Sequence, residues 1–161
     1  MSYLVDTNVL SELRRKSPDP HVVRWFDQRP ARMLFVSVLT LGEIRKGIER
    51  VTERRLRTRL LDWLEGELPA FFSGRVLDVD RRVADRWGRL LAELRRPAPA
   101  IDSLLAATAS LHELRLVTRN VRDFDFYGVE VIDPWQAEGG DESPPRHRVN
   151  EPRGALRAAK S

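Results

Sequence analysis

The sequence predicts an α/β fold in which a central parallel sheet is covered by helices on both faces. Three observations point there. Short runs rich in branched apolar residues alternate along the chain with segments of helical spacing. The most hydrophobic runs are apolar at consecutive positions, the pattern of strands buried on both faces. Prolines stand at the edges of several periodic segments, where they start or stop helices without breaking them.

The first strand is Tyr3-Leu4-Val5, and Asp6 behind it is placed to cap a helix. Val22, Val23, Trp25 and Phe26 share a helix between the start signal Asp19-Pro20 and the stop signal Pro30. Met33 to Leu39 reads as the second strand. Ile44, Ile48 and Val51 follow an i, i+4, i+7 stripe, which Leu56, Leu60, Trp63 and Leu64 continue after a break near Thr52. Arg75 to Val79 is a shorter, partly alternating strand. Val83, Ala84, Trp87, Leu90, Leu91 and Leu94 form another helical stripe, ended by Pro97, and Ile101 to Leu111 is a mostly apolar helix after Pro99. Leu114 to Thr118 and Val129 to Ile132 are the last strands. Trp25, Trp63 and Trp87 are expected in the core, with Trp135 packed beside the last strand.

The 161 residues suit one domain, expected over residues 1–138. Residues 139–161 hold three prolines, three glycines and few bulky apolar side chains, so a flexible tail is expected there. Apolar residues make up 42% of the chain, enough for a core. Cysteine is absent, which excludes disulfides, thiolate metal sites and a cysteine nucleophile and fits a cytoplasmic location. The start, Met1 to Asp6, lacks the basic and then apolar pattern of a signal peptide, and no run approaches the ~18 apolar residues of a membrane span. Twenty-eight basic residues against 24 acidic ones give a net charge of +4, compatible with a nucleic-acid partner but not specific for one.

Ligands of open parallel sheets bind beyond the carboxyl ends of the strands. Asp6 follows the first strand directly, Glu43 sits just past the second, Asp102 opens the apolar helix after Pro99, and Asp123 follows the strand ending at Thr118. Each alone has an ordinary explanation. Asp6 and Asp102 could cap helices, Glu43 could be a first-turn acid complementing the helix dipole, and Asp123 could be a turn residue. Their joint placement points further. Crowded carboxylates repel one another, and a divalent cation removes that cost. An oxygen-only donor set favours Mg²⁺ or Mn²⁺ over Zn²⁺. His21, His112 and His147 are scattered and offer no two-histidine mechanism, and Thr7 and Ser103 lack an adjacent base. Metal-assisted phosphodiester hydrolysis is the chemistry most consistent with this set.

The motifs around these acids resemble a known family. Leu4-Val5-Asp6-Thr7-Asn8-Val9-Leu10-Ser11-Glu12-Leu13 is similar to the opening of PIN-domain toxins of the VapC and FitB kind, and Leu41-Gly42-Glu43-Ile44-Arg45-Lys46-Gly47-Ile48 to their second motif. Asp102 to Ala109 resembles the third, Val117 to Phe124 the fourth, and Gly128 to Trp135 the close, although Asn is more usual than Asp133 before Pro134. The resemblance implies a three-layer α/β/α PIN-like domain with four to five parallel strands. It also implies an Mg²⁺- or Mn²⁺-dependent endoribonuclease and a homodimer held inactive by a VapB- or FitA-like antitoxin. Carried over by motif, Asp6 and Asp102 are the principal metal ligands, Glu43 positions metal or water, and Asp123 is the fourth acid. Asn8 and Asn120 would orient the acids or a phosphate.

Seven basic residues lie between Arg45 and Arg59, with only Glu49 and Glu53 acidic among them. They read first as a solvated helix face laced by ion pairs, and second as an RNA track in which Arg45, Lys46 and Arg50 lead toward the acids. Antitoxin contact is a third reading. A dehalogenase-like phosphatase would want a second Asp where Asn8 stands, and a dinucleotide-binding turn would want glycine in Asp6-Thr7-Asn8-Val9. A PIN-like module that binds RNA or protein without cutting, and an RNA-processing nuclease without an antitoxin, are the remaining alternatives.

Overall fold

Alternation along the strands sets the layers. In the computed structural model, which describes residues 1–136, strand β1 (Tyr3–Val5) is buried at every position. Successive side chains of a strand point to opposite faces. Tyr3 and Val5 enter one apolar core and Leu4 enters a second. Leu34 and Val36 of β2 (Leu34–Ser37) join the first core, and Phe35 packs on the second. A strand apolar on both sides is satisfied only between two helical layers, so the fold is α/β/α as predicted.

The layer over the first core holds α1 (Thr7–Leu13), α2 (Pro20–Asp27), α3 (Val38–Glu49) and the segment after α4 (Arg54–Asp62) up to α5 (Leu68–Phe71). After β3 (Val76–Leu77), α6 (Arg81–Glu93) and α7 (Ala100–Leu111) cover the second core. Strands β4 (Arg115–Val117) and β5 (Val131–Ile132) complete the sheet. Its order is β3-β2-β1-β4-β5, and every pair is parallel. The chain therefore starts at the centre, winds outward to β3, and returns on the other face to the far side of β1. Right-handed crossovers make that reversal switch faces. The switch point lies between β1 and β4, and a crevice opens there beyond the carboxyl ends.

Local sequence sets the element starts. Asp6, Asp19, Ser37, Glu53 and Asp80 each cap a helix through a side-chain oxygen, and Pro20 stands in the first turn of α2. The break near Thr52 falls between α3 and α4, as expected. Two boundaries differ from expectation. The second strand ends at Ser37, because its hydroxyl accepts from the Leu39 N–H at 3.1 Å and starts α3 there. Val38 and Leu39 are apolar in either structure, so the pattern alone did not show the switch. The stripe through Leu64 continues as a π turn over Trp63–Glu67 into α5, burying Trp63, Leu64, Leu68, Phe71 and Phe72. A widened turn carries no 3.6-residue signature.

Trp25 and Trp63 are core residues, as expected. Trp87 is half-buried, with its indole N–H donating to Ser103 Oγ at 2.8 Å. Trp135 packs partly buried against the first core, with the Arg119 guanidinium 5.1 Å from its ring centroid. The expected tail over 139–161 and the last residues of the expected domain lie outside the described residues. Among the described residues, no helix is long and apolar enough to cross a membrane.

Candidate active site

Asp6 is built into the switch point by both its backbone and its side chain. Pairing of Val5 with Val117 sets β1 beside β4, and the Asp6 N–H donates to the Val117 carbonyl at 2.9 Å. The side chain is only 7% exposed. Its Oδ1 accepts from the Thr7 N–H at 2.7 Å, which caps α1. Its Oδ2 accepts from Thr118 Oγ1 at 2.8 Å and from Asn8 Nδ2 at 3.4 Å. Burial pushes the Asp6 carboxyl above its ordinary range. The Thr118 and Thr7 donors pull it back in part, and the charge of Glu43 adds to the rise. The capping reading of Asp6 is therefore realised.

Thr118 is the residue that sequence reasoning missed. It is fully buried just past β4, donates to Asp6, and accepts from Asn8 Nδ2 at 3.0 Å and from the Asn120 N–H at 3.2 Å. One donor and two lone pairs are all used. Asn8 Oδ1 also accepts from the Arg119 N–H at 3.2 Å and ties the two strand ends together. Asn120 is exposed, and its backbone N–H donates to Thr118 Oγ1. Thr118 lies 112 residues from Asp6, so only the β1–β4 register reveals the pair.

The other acids approach from separate elements. Glu43 stands in the second turn of α3 and not at the strand end, because α3 starts at Val38; no acid lies in the first turn. It is half-buried, and its Oε1 accepts from Thr7 Oγ1 at 2.9 Å. Thr7 is thus occupied as a support. Asp102 lies in the first turn of α7, half-buried, and does not cap that helix, whose N-cap is Pro99. Asp123 is exposed at the end of a 3₁₀ turn, Val121–Asp123.

Asp102 links the set electrostatically. Burial pushes its carboxyl up, and the charges of Asp123, Asp6 and Glu43 add to the rise in that order. Among the described residues, none of the four is ion-paired with a basic side chain. No three of them close into a ready-made cation cage among the described residues. The all-oxygen donor set suits Mg²⁺, which keeps several waters and takes one or two carboxylates directly, better than Zn²⁺, which favours histidine and cysteine ligands. The oxygen-only donors, and the repulsion that no base offsets, fit a hard divalent cation.

Among the described residues, Ser103 and His21 are held in contacts of their own. Ser103 Oγ donates to the Ala100 carbonyl and accepts from Trp87, while His21 pairs with Asp19 at the start of α2. The basic stretch is partly used for structure. Arg45 pairs with Glu65 and Glu49, and Arg57 with Glu49 at 2.7 Å. Lys46 is exposed one turn from Glu43. Arg50 caps the far end of α3, about 10 Å along the axis from Glu43 at a rise of 1.5 Å per residue.

Comparison with known proteins agrees with this geometry. Residues 3–130 match the PIN domain family. The VapC ribonuclease Y4jK of Sinorhizobium fredii is 33% identical over 83% of this chain and 97% of its own length. Toxin FitB of Neisseria gonorrhoeae is 32% identical over 82% of this chain and 97% of its own length. The crystal structure of FitAcB from the same organism superposes with a TM-score of 0.80 at 31% identity, covering 84% of this chain and 99% of that one. A parallel sheet of order β3-β2-β1-β4-β5, Asp6 at its switch point and these matches together place the chain in the PIN-domain family, among the toxins of the VapC and FitB type.

Proposed function

We propose that this protein is the toxin of a type II toxin–antitoxin pair and acts as a metal-dependent endoribonuclease. The reading is supported by Asp6 at the sheet's switch point, by Glu43 joined to its neighbour Thr7, and by the charges of Asp123, Asp6 and Glu43 that bear on Asp102, none of the four being ion-paired among the described residues. Asp6 and Asp102 would hold Mg²⁺ or Mn²⁺, with Glu43 positioning metal or water and Asp123 as the fourth acid. Such a cation, when bound, supplies an activated water and neutralises charge on a phosphoryl group during in-line displacement. The protein's own part is placement. Thr118, Asn8 and the Thr7 N–H fix the Asp6 carboxylate, and Thr7 Oγ1 fixes Glu43. Lys46, and less directly Arg45 and Arg50, would meet the RNA backbone.

The relatives' names, a toxin and a VapC ribonuclease, support RNA as the substrate and a VapB- or FitA-like antitoxin as the partner. A homodimer follows from the same resemblance. A small adjacent gene for a DNA-binding antitoxin would separate this reading from an RNA-processing nuclease that works alone.

The decisive experiment is cleavage of a mixed pool of structured cellular RNAs by purified protein freed of antitoxin. Wild type and Asp6→Asn are compared with Mg²⁺, with Mn²⁺ and with chelator. Wild type is expected to cut only with metal, and Asp6→Asn to lose more than about 100-fold, beyond the range set by outer-shell partners alone. Full activity of folded Asp6→Asn would remove it as a ligand, and binding without cutting under every condition would favour a non-cleaving module.

A further inference from the structure

Arg119 stands where the chain leaves β4, and its backbone is fixed beside Asp6. Its N–H donates to Asn8 Oδ1 at 3.2 Å, and Asn8 Nδ2 reaches Asp6 Oδ2 at 3.4 Å. The preceding residue, Thr118, donates to that same carboxylate oxygen at 2.8 Å. A cation is thereby tethered two hydrogen bonds from the Asp6 carboxylate. Its side chain is exposed and forms no ion pair among the described residues.

Strand β5 brings an aromatic ring to that cation. Val117 pairs with Ile132, and the Thr118 N–H donates to the Ile132 carbonyl at 3.0 Å. Asp133 then turns the chain, its Oδ1 accepting from the Trp135 N–H at 2.9 Å and its carbonyl from the Gln136 N–H at 3.2 Å. Trp135, so placed, packs partly buried on the first core, the one that α1 and α3 cover. The Arg119 guanidinium carbon lies 5.1 Å from its ring centroid. An aromatic face attracts a cation through its quadrupole and leaves the N–H edges of the fork unused. Among the described residues, no side-chain donor of Arg119 is hydrogen-bonded.

The chemistry of the fork and its place in the sheet say what it meets. A guanidinium steadied on an aromatic ring loses little freedom on binding, and its planar donors match a phosphate two at a time. A polyanion drawn toward a set of acids needs cations at the rim. Lys46 and Arg50 lie on the helix that follows β2, on one side of β1, whereas Arg119 follows β4 on the other side. A strand crossing the switch point would therefore meet positive charge on both flanks of Asp6. The sequence did not single out Arg119, because it stands outside the basic run and its ring partner is 16 residues away.

We propose that Arg119 is a substrate-binding residue of the site, gripping a backbone phosphate of single-stranded RNA, with Trp135 as the positioning residue that holds its guanidinium in place. The contact is electrostatic and bidentate, carries no base preference, and takes no part in bond cleavage. The proposal rests on the ribonuclease reading above.

The test is binding of a short fluorescein-labelled single-stranded RNA of mixed sequence, followed by anisotropy over a series of salt concentrations. Asp6→Asn is the parent, so that the strand stays intact, and Arg119→Ala, Arg119→Lys, Trp135→Leu and Trp135→Phe are added to it. Arg119→Ala is expected to weaken binding about tenfold, the low end for a charge-assisted hydrogen bond. It should also flatten the plot of log Kd against log salt by about 0.7, as for one phosphate contact on a single strand. Its melting temperature should match the parent's, because the N–H that bonds Asn8 belongs to the backbone. Arg119→Lys should keep the slope and lose part of the affinity, since a point charge replaces the fork. Trp135→Leu should weaken binding without changing the slope, and Trp135→Phe should restore it. Parental affinity and slope in Arg119→Ala would overturn the proposal and leave the nuclease reading standing. Weaker binding with an unchanged slope would reduce Arg119 to packing and overturn it as well. Failure of the parent to bind the strand at any salt would also overturn it, while cleavage by wild type would still decide the nuclease reading.

Discussion

A single buried hydroxyl organises the better-defined half of the site. Thr118 Oγ1 donates to Asp6 and accepts from Asn8 and from the Asn120 N–H, so its loss leaves three groups short of a partner at once. Thr118→Val keeps the shape and removes the hydroxyl. We expect it to cost about 1–3 kcal/mol of stability, the range for stranding a buried polar group. Loss of orientation at Asp6 should add a ~10–100-fold fall in activity or metal affinity, as for other outer-shell partners. Denaturant unfolding and a metal titration measure the two effects separately. A variant that binds metal and cuts RNA as wild type does would show that Asp6 needs no such support. Ordinary residues elsewhere show the same economy of parts, as where Ser103 receives the Trp87 indole and occupies the Ala100 carbonyl.

At the scale of elements, each acid's position follows from how its segment begins. Asp6 follows β1 directly because the chain turns into α1 there, with Asp6 itself as the cap. Glu43 reaches the crevice from the second turn of α3 because Ser37 starts that helix at Val38. Ser37 is fully buried, so no water replaces its capping oxygen. Ser37→Ala should lower the unfolding free energy by about 1 kcal/mol, the usual cost of a lost cap, with the denaturant m-value unchanged. A change of m instead would mean that α3 had been displaced and not merely weakened at one end. Asp102 uses a different device. It complements the positive end of α7 from the first turn and does not cap it, which leaves its carboxylate free to face the other acids.

For the whole molecule, the raised acids are a source of instability that a divalent cation would relieve on the proposed reading. The native fold raises the carboxyls of both Asp6 and Asp102, so it binds protons there more tightly than the unfolded chain does. Stability from these groups is then greatest at low pH and declines as pH rises from the ordinary carboxylate range through the raised values. At neutral pH without metal, Asp102→Asn should therefore melt higher than wild type, with the difference shrinking as pH falls through that range. Saturating Mg²⁺ should reverse the order. Binding at 100 times Kd stabilises the native state by about 2.7 kcal/mol, and the variant should gain much less. Thermal melts across pH, with and without Mg²⁺, read both signs. A variant that melts lower than wild type without metal at neutral pH would contradict the electrostatic account.

The sequence by itself determined the layers and which four acids are candidates for the site. Consecutive apolar residues in Tyr3-Leu4-Val5 and Leu34-Phe35-Val36 require cover on both faces, and Asp6, Asp102 and Asp123 fall next to element ends that can be read locally. Those signals are short-range, carried by burial pattern, capping chemistry and proline. Tertiary structure decided what depends on contacts distant in sequence. The strand order placed the switch point between β1 and β4, and the register brought Thr118 to Asp6 from 112 residues away. No local pattern encodes those pairings, because a strand's own residues fix which faces are buried but not which neighbour it joins.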